Sequence, residues 1–178
     1  MWRTHRQLFS DLLDQLDFAL DQLFVRDRNH DRFAMMLIDN VVELALHHHA
    51  ESVGSYQRLG MKTEIPPELI RNAKGRYFEA KVKLAKASGL VSGALADSLA
   101  TLHDFRNCAH HAGERHERIL NSLAAFYLQS ACEILQSDHL KNWGFSSSSE
   151  DVVPRRALKY LGTSGTASAA LKVIHPPA

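Results

Sequence analysis

Apolar residues recur at helical spacing almost throughout residues 4–143, and no stretch there alternates with the period of two that a half-buried strand needs. Leu8, Leu12, Leu16, Leu20 and Phe24 stand four apart along a first predicted helix, Thr4 to Arg26. Asp11, Asp14, Asp17 and Asp21 fall mostly off that stripe and read as a solvated acidic face. The polar run "RDRNHD" makes a turn, with Asn29 or Asp31 as the cap of a second helix, Asp31 to Arg58. Its inward set is Phe33, Leu37, Val41, Leu44 and Ala45. "LGMKTEIPPE" breaks the chain, and the Pro66-Pro67 pair suits the start of a third helix, Pro67 to Ser88, which carries Phe78, Val82 and Ala85 at helical spacing. Gly89 closes that helix, and Ser92 caps a fourth through Leu95, Leu99, Leu102 and Phe105. After Gly113 a fifth resumes with Leu120, Leu123, Tyr127, Ala131 and Ile134. The pattern predicts an all-α fold, an up-and-down bundle of about five helices joined by short connections.

At 178 residues the chain is long enough for one domain with a proper core, which the periodicity assigns to residues 1–143. From Gly144 the composition changes. "GFSSSSED" reads as a serine-rich linker, and residues 144–178 as an irregular Ser/Gly/Ala-rich tail, docked loosely at best, with room for a short helix around Pro154 to Leu161. A net charge of +1 exerts no global pull on nucleic acid or membrane, so any anion binding must come from a local patch. The longest apolar run stops at Asp39, far short of a membrane span, and the first residues lack the apolar core of a signal peptide. The two cysteines, Cys108 and Cys132, lie within predicted helices and do not suggest a disulfide framework. These features predict a soluble, cytoplasmic protein with no membrane partner.

Chemistry concentrates in "LHDFRNCAHHAG", residues 102–113. Arg106 lies beside the buried stripe of the fourth helix, and His110 one turn further on. His111 is five positions from Arg106, which an unbroken helix separates by about 140°. The two can converge only if the helix loosens before Gly113 or a second subunit supplies one of them. Read from the residues alone, a helix end collecting His and Arg to complement its dipole is the better explanation of the run.

The six residues "RNCAHH", Arg106 to His111, resemble the R-x4-6-H signature of the HEPN superfamily (higher eukaryotes and prokaryotes nucleotide-binding domain). Asn107 matches the polar second position of that signature, and a bundle with the motif near the junction of two late helices is similar in setting. The likeness spans roughly residues 4–140, with the specificity carried by the motif. It implies a dimeric all-α domain and metal-independent RNA cleavage, without a cofactor. In that chemistry His111 transfers protons, Arg106 stabilises the phosphate, and Asn107 orients the phosphate or the catalytic pair. His110 is a reserve proton carrier. One His cannot be base and acid in the same step, but two copies of His111 across a two-fold axis can divide the roles. The resemblance further implies a defence or toxin–antitoxin setting, with RNA as substrate and an antitoxin or nucleotidyltransferase as partner. Some toxin members carry a modifiable Tyr two residues after the motif His; here that position is Gly113. The competing class is a non-catalytic helical module binding nucleotide, RNA or a protein.

Three further constellations bear on the site. Asp39, Glu43, His47 and Glu51, spaced by four, share one face of the second helix. That face is either solvated, opposite the core, or turned so that Glu43 or Asp39 orients Arg106 or His111. Asp104, Cys108 and His111, with the run His47-His48-His49, are suggestive metal ligands, but no second cysteine pair or His-Glu-x-x-His pattern joins them. No metal is expected; Asp104 stays a supporting candidate and Cys108 a small packing residue. Arg71, Lys74, Arg76, Lys81, Lys83 and Lys86 on the third helix, with Arg115 and Arg118 beside the motif, form the local basic patch.

Overall fold

The helical periodicity resolves, among the described residues, into six helices and no strand: α1 (His5–Val25), α2 (Arg28–Arg58), α3 (Pro67–Ala73), α4 (Phe78–Ala87), α5 (Gly93–His111) and α6 (Glu117–Asn142). The computed structural model describes residues 5–61, 63–111, 117–142 and 159–160, with side chains for 7–61, 63–108, 119–137 and 159–160. The expected all-α bundle is therefore present, with one helix more than the periodicity predicts. None of the described helices is long and apolar enough to cross a membrane.

The turn between α1 and α2 is only Arg26 and Asp27. Arg26 reverses the chain with a left-handed φ of 53°. Asp27, in extended conformation, caps α2 by accepting the Asn29 N–H at 2.9 Å. The cap thus falls earlier than the expected Asn29 or Asp31. Asp31 is instead buried and accepts from Asn121 of α6 at 2.6 Å. Burial pushes its carboxyl above the usual range, while the Asn121 hydrogen bond works the other way.

Helix α2 touches each of the other five helices. It therefore buries a wide arc rather than one stripe. Ala34, Met35, Ile38, Val41, Val42, Ala45 and Leu46 are buried, and so are Asp39 and His49. Two residues of the expected inward set, Leu37 and Leu44, sit only at the margin of the core, and Phe33 is exposed. The Phe33 ring packs edge-on against Phe18 of α1, centroids 5.7 Å apart. Leu12, Leu16 and Leu23 of α1, Leu99 of α5, and Leu128 and Ile134 of α6 complete the main core. Each fully buried aliphatic side chain contributes about 1.5–3 kcal/mol relative to exposure.

The single third helix expected over Pro67 to Ser88 is split at Lys74–Tyr77 into α3 and α4. The break lets both pieces lay an apolar side on the second half of α2, where Ala50, Ile70, Ala73 and Leu84 form a satellite core. Gly54 of α2 lies at this contact: a Cβ there would meet the movable end of the Lys74 side chain at 2.4 Å and Ile70 at 3.3 Å. Two expected punctuation residues hold their places. Gly89 takes a positive φ of 70° just after α4. The Ser92 hydroxyl accepts the Leu95 N–H at 3.1 Å at the start of α5.

The tail is better anchored than loose docking implies. Lys159 and Tyr160 are helical, and Tyr160, only 1% exposed, belongs to the main core. Its hydroxyl donates to Asp17 of α1, which Lys159 also pairs. Part of the acidic face expected on α1 is thereby covered. The linker from Gly144 and the remainder of the tail lie outside the described residues.

Candidate functional site

The buried carboxylate of Asp39 organises the centre of the bundle. The side chain has no exposure at all. Its Oδ1 accepts from the Tyr127 hydroxyl at 2.6 Å and from His103 Nδ1 at 2.7 Å. Its Oδ2 lies 2.8 Å from Arg106 Nη2. Phe78, the first residue of α4, stacks on the His103 ring with centroids 4.0 Å apart and planes 4° from parallel. Three helices, α2, α5 and α6, therefore meet at one acidic side chain, and α4 packs on its His103 partner. An ionised carboxylate in a dry interior costs several kcal/mol unless paired and hydrogen-bonded. Here one cation and two further donors offset that cost. A carboxylate only accepts, so the hydrogen between the pair sits on His103 Nδ1, and Nε2 lies on the outer edge of the ring. Burial, and then the neighbouring Asp39 charge, push the Tyr127 phenol far above its ordinary range, so it remains a donor.

Arg106 extends this cluster toward the surface. Its Nη1 donates to Asn107 Oδ1 at 2.8 Å, Nε is buried without a hydrogen-bond partner among the described residues, and the side chain keeps 30% of its exposure. Each terminal nitrogen has two hydrogens, so among the described residues at least one on each remains uncommitted. Arg106 and Asn107, two of the three expected catalytic residues, are thus in contact. The third, His111, is the last residue of α5, which runs unbroken from Gly93. The helix does not loosen before His111, and positions 106 and 111 stand about 140° apart around its axis. The side chains of His110, His111 and Arg118, together with Gly113 and Arg115, lie outside the described residues.

The other sequence candidates separate clearly. Asp104 is exposed and takes no part in the cluster. Cys108, expected as a packing residue, is exposed; Cys132 is buried, which pushes its thiol up to about 12. Glu43 accepts from Lys81 of α4 at 3.2 Å, so it faces α4. The acidic stripe of α2 is therefore not a solvated face but an ionic seam. Asp39 holds α5 and α6, Glu43 holds α4 through Lys81, and Glu51 holds α3 through Lys74 at 3.0 Å. The same seam reduces the expected basic patch. Lys81, 3% exposed, and Lys74 are turned inward; Arg71 faces Glu68 at 3.7 Å; Arg76 lies over the Tyr77 ring at 5.1 Å. Arg71, Arg76, Lys83 and Lys86 remain exposed. Among the His47-His48-His49 run, His49 is buried with Nε2 at 2.8 Å from the Ser88 hydroxyl. No group of three or more His, Cys, Asp or Glu is placed to hold a metal among the described residues.

His103, Tyr127 and Phe78 are site residues that the sequence reading passed over in favour of the motif. One signal was available: His103 precedes Arg106 by three, a spacing that puts both on one side of a helix. No sequence signal indicated that Asp39 stands opposite them. Fold and site together define an all-α bundle built around a buried carboxylate that binds a partly exposed arginine. Comparison with family models, curated proteins and solved structures finds no match to this chain.

Proposed function

We propose that the chain is a HEPN-like, metal-independent endoribonuclease that works as a homodimer, in a cytoplasmic defence or toxin–antitoxin setting. What carries this reading is Arg106: a fully buried carboxylate orients it, yet the guanidinium stays partly exposed with hydrogens to spare. A structural arginine is consumed by its partners; this one is aimed and left available to a phosphate. Asn107, bound to Nη1, steadies the same group and offers its own amide to the anion. His111 is the proton carrier. Because His111 stands about 140° from Arg106 around α5, the reading calls for a site assembled by two chains, where two copies divide the acid and base roles. An antitoxin or nucleotidyltransferase partner would restrain such an enzyme in its own cell.

One observation favours a second reading, a non-catalytic module that binds nucleotide, RNA or protein. Asp39 cancels much of the Arg106 charge, and two lysines of the basic patch are spent on internal ion pairs. The two readings part on one assay. Structured and single-stranded RNAs are incubated with the purified protein in EDTA, beside Arg106→Ala and His111→Ala. The nuclease cleaves without metal and loses at least about 100-fold in rate in either variant. A wild-type protein that cleaves none of these RNAs overturns the proposal in favour of the binding module.

A further inference from the structure

Asp39 binds two residues of α5, and the roles assigned above use only Arg106. The other is His103. Three residues separate the two, so they project from one side of the helix, about 60° apart. Both end on the same carboxylate, His103 Nδ1 at 2.7 Å from Oδ1 and Arg106 Nη2 at 2.8 Å from Oδ2. The imidazole and the guanidinium are therefore neighbours within one chain. Nδ1 is committed to Asp39. Nε2, on the opposite edge of the ring, has no partner among the described residues, and the ring keeps 19% of its exposure. Phe78, stacked at 4.0 Å, holds the ring plane and hence the direction in which Nε2 points.

A buried carboxylate that fixes an imidazole tautomer, an outer nitrogen left as base, and a cation beside it are the parts of a proton-accepting site for a phosphodiester. We propose that His103 is a catalytic residue: its Nε2 accepts the proton of the RNA 2′-hydroxyl whose adjacent phosphate Arg106 holds. The inference rests on the ribonuclease reading and deepens it. In the step, the 2′-hydroxyl proton passes to Nε2 and the 2′-oxygen forms a bond to phosphorus. The bond from phosphorus to the 5′-oxygen breaks, its electron pair staying on that oxygen, which takes a proton from His111. The products are a 2′,3′-cyclic phosphate and a 5′-hydroxyl. Base and acid are then different histidines: His103 takes the base role that the dimer reading gives to a second copy of His111, and His111 keeps the acid role.

The discriminating variant is His103→Asn, whose amide N–H replaces Nδ1–H toward Asp39 but which carries no proton acceptor at the Nε2 position. It is compared with wild type for RNA cleavage in EDTA, with a denaturation curve for each. The expected result is a folded protein with KM within about threefold of wild type and kcat lower by at least about 100-fold. If His103→Asn keeps kcat within about fivefold of a cleaving wild type, His103 is a structural donor and the inference fails while the ribonuclease reading stands. A wild type that does not cleave fails both. Nitrogen NMR of the full chain adds a test that needs no turnover. The expected ring carries its proton on Nδ1, and inorganic phosphate shifts its Nε2 signal in wild type but not in Arg106→Ala. A ring protonated on Nε2 alone, or one indifferent to phosphate, overturns the assignment.

Discussion

Asp39 keeps no contact with solvent; Tyr127 and His103 donate to its Oδ1, and Arg106 pairs with its Oδ2 as a charge. Removing one donor leaves part of a buried charge unsatisfied. Tyr127→Phe is therefore expected to lower stability by about 1–3 kcal/mol at neutral pH, read by chemical denaturation. The phenol also sets a pH dependence whose sign follows from its raised value. Folded chains keep the Tyr127 proton where unfolded chains release it, above the ordinary 10.0. Stability is then fully present below that pH and falls above it, by up to about 1.4 kcal/mol per pH unit. Denaturation curves between pH 8 and pH 11 should show that decline in wild type and a shallower one in Tyr127→Phe. Equal slopes in the two proteins would mean that the phenol titrates normally. None of this was visible in the sequence, where Tyr127 reads simply as one more member of an apolar stripe.

At the scale of elements, the short α1–α2 turn shows how local chemistry and tertiary demand divide the work. The run "RDRNHD" offers three capping residues, and propensity alone does not choose among them. Asn121 recruits Asp31 from another helix, which leaves Asp27 as the cap. Asp27→Ala is expected to cost about 1 kcal/mol. Asp27→Asn keeps an accepting oxygen and removes a charge that raises Asp31, so its loss should be smaller. Urea midpoints of the two variants check the ordering, and equal losses would remove the cap from the account. The division of the expected third helix has a similar origin. Phe78, Val82 and Ala85 sit at helical spacing whether or not the chain breaks before them, but only the break lets α3 reach Gly54 and the satellite core. By contrast, Gly89 and Ser92 were legible because a left-handed residue and an N-cap depend on their own few neighbours.

Across the whole molecule, the acidic stripe of α2 acts as a clamp. Asp39, Glu43 and Glu51 each hold a different part of the α3–α6 set, so a nearly neutral chain spends much of its charge internally. The core also reaches past the bundle through Tyr160, which lies among α1 side chains far from it in sequence. Tyr160→Ala is expected to destabilise the protein by about 3–5 kcal/mol, the range for deleting a buried aromatic ring. A change below about 1 kcal/mol in equilibrium unfolding would return this segment to the status of a loose tail.

The sequence by itself determined what depends on neighbours along the chain: the helical class, the order of the helices, the breaks at Pro66 and Gly89, and the crowding of Arg, Asn and His near the end of α5. Tertiary structure alone decided that Asp39 faces inward, that His103 shares it with Arg106, and that Lys74 and Lys81 turn toward α2. The reason is geometric. Periodicity reports the angle of a residue about its own helix axis, and only the packing of several helices specifies which side chain waits at that angle.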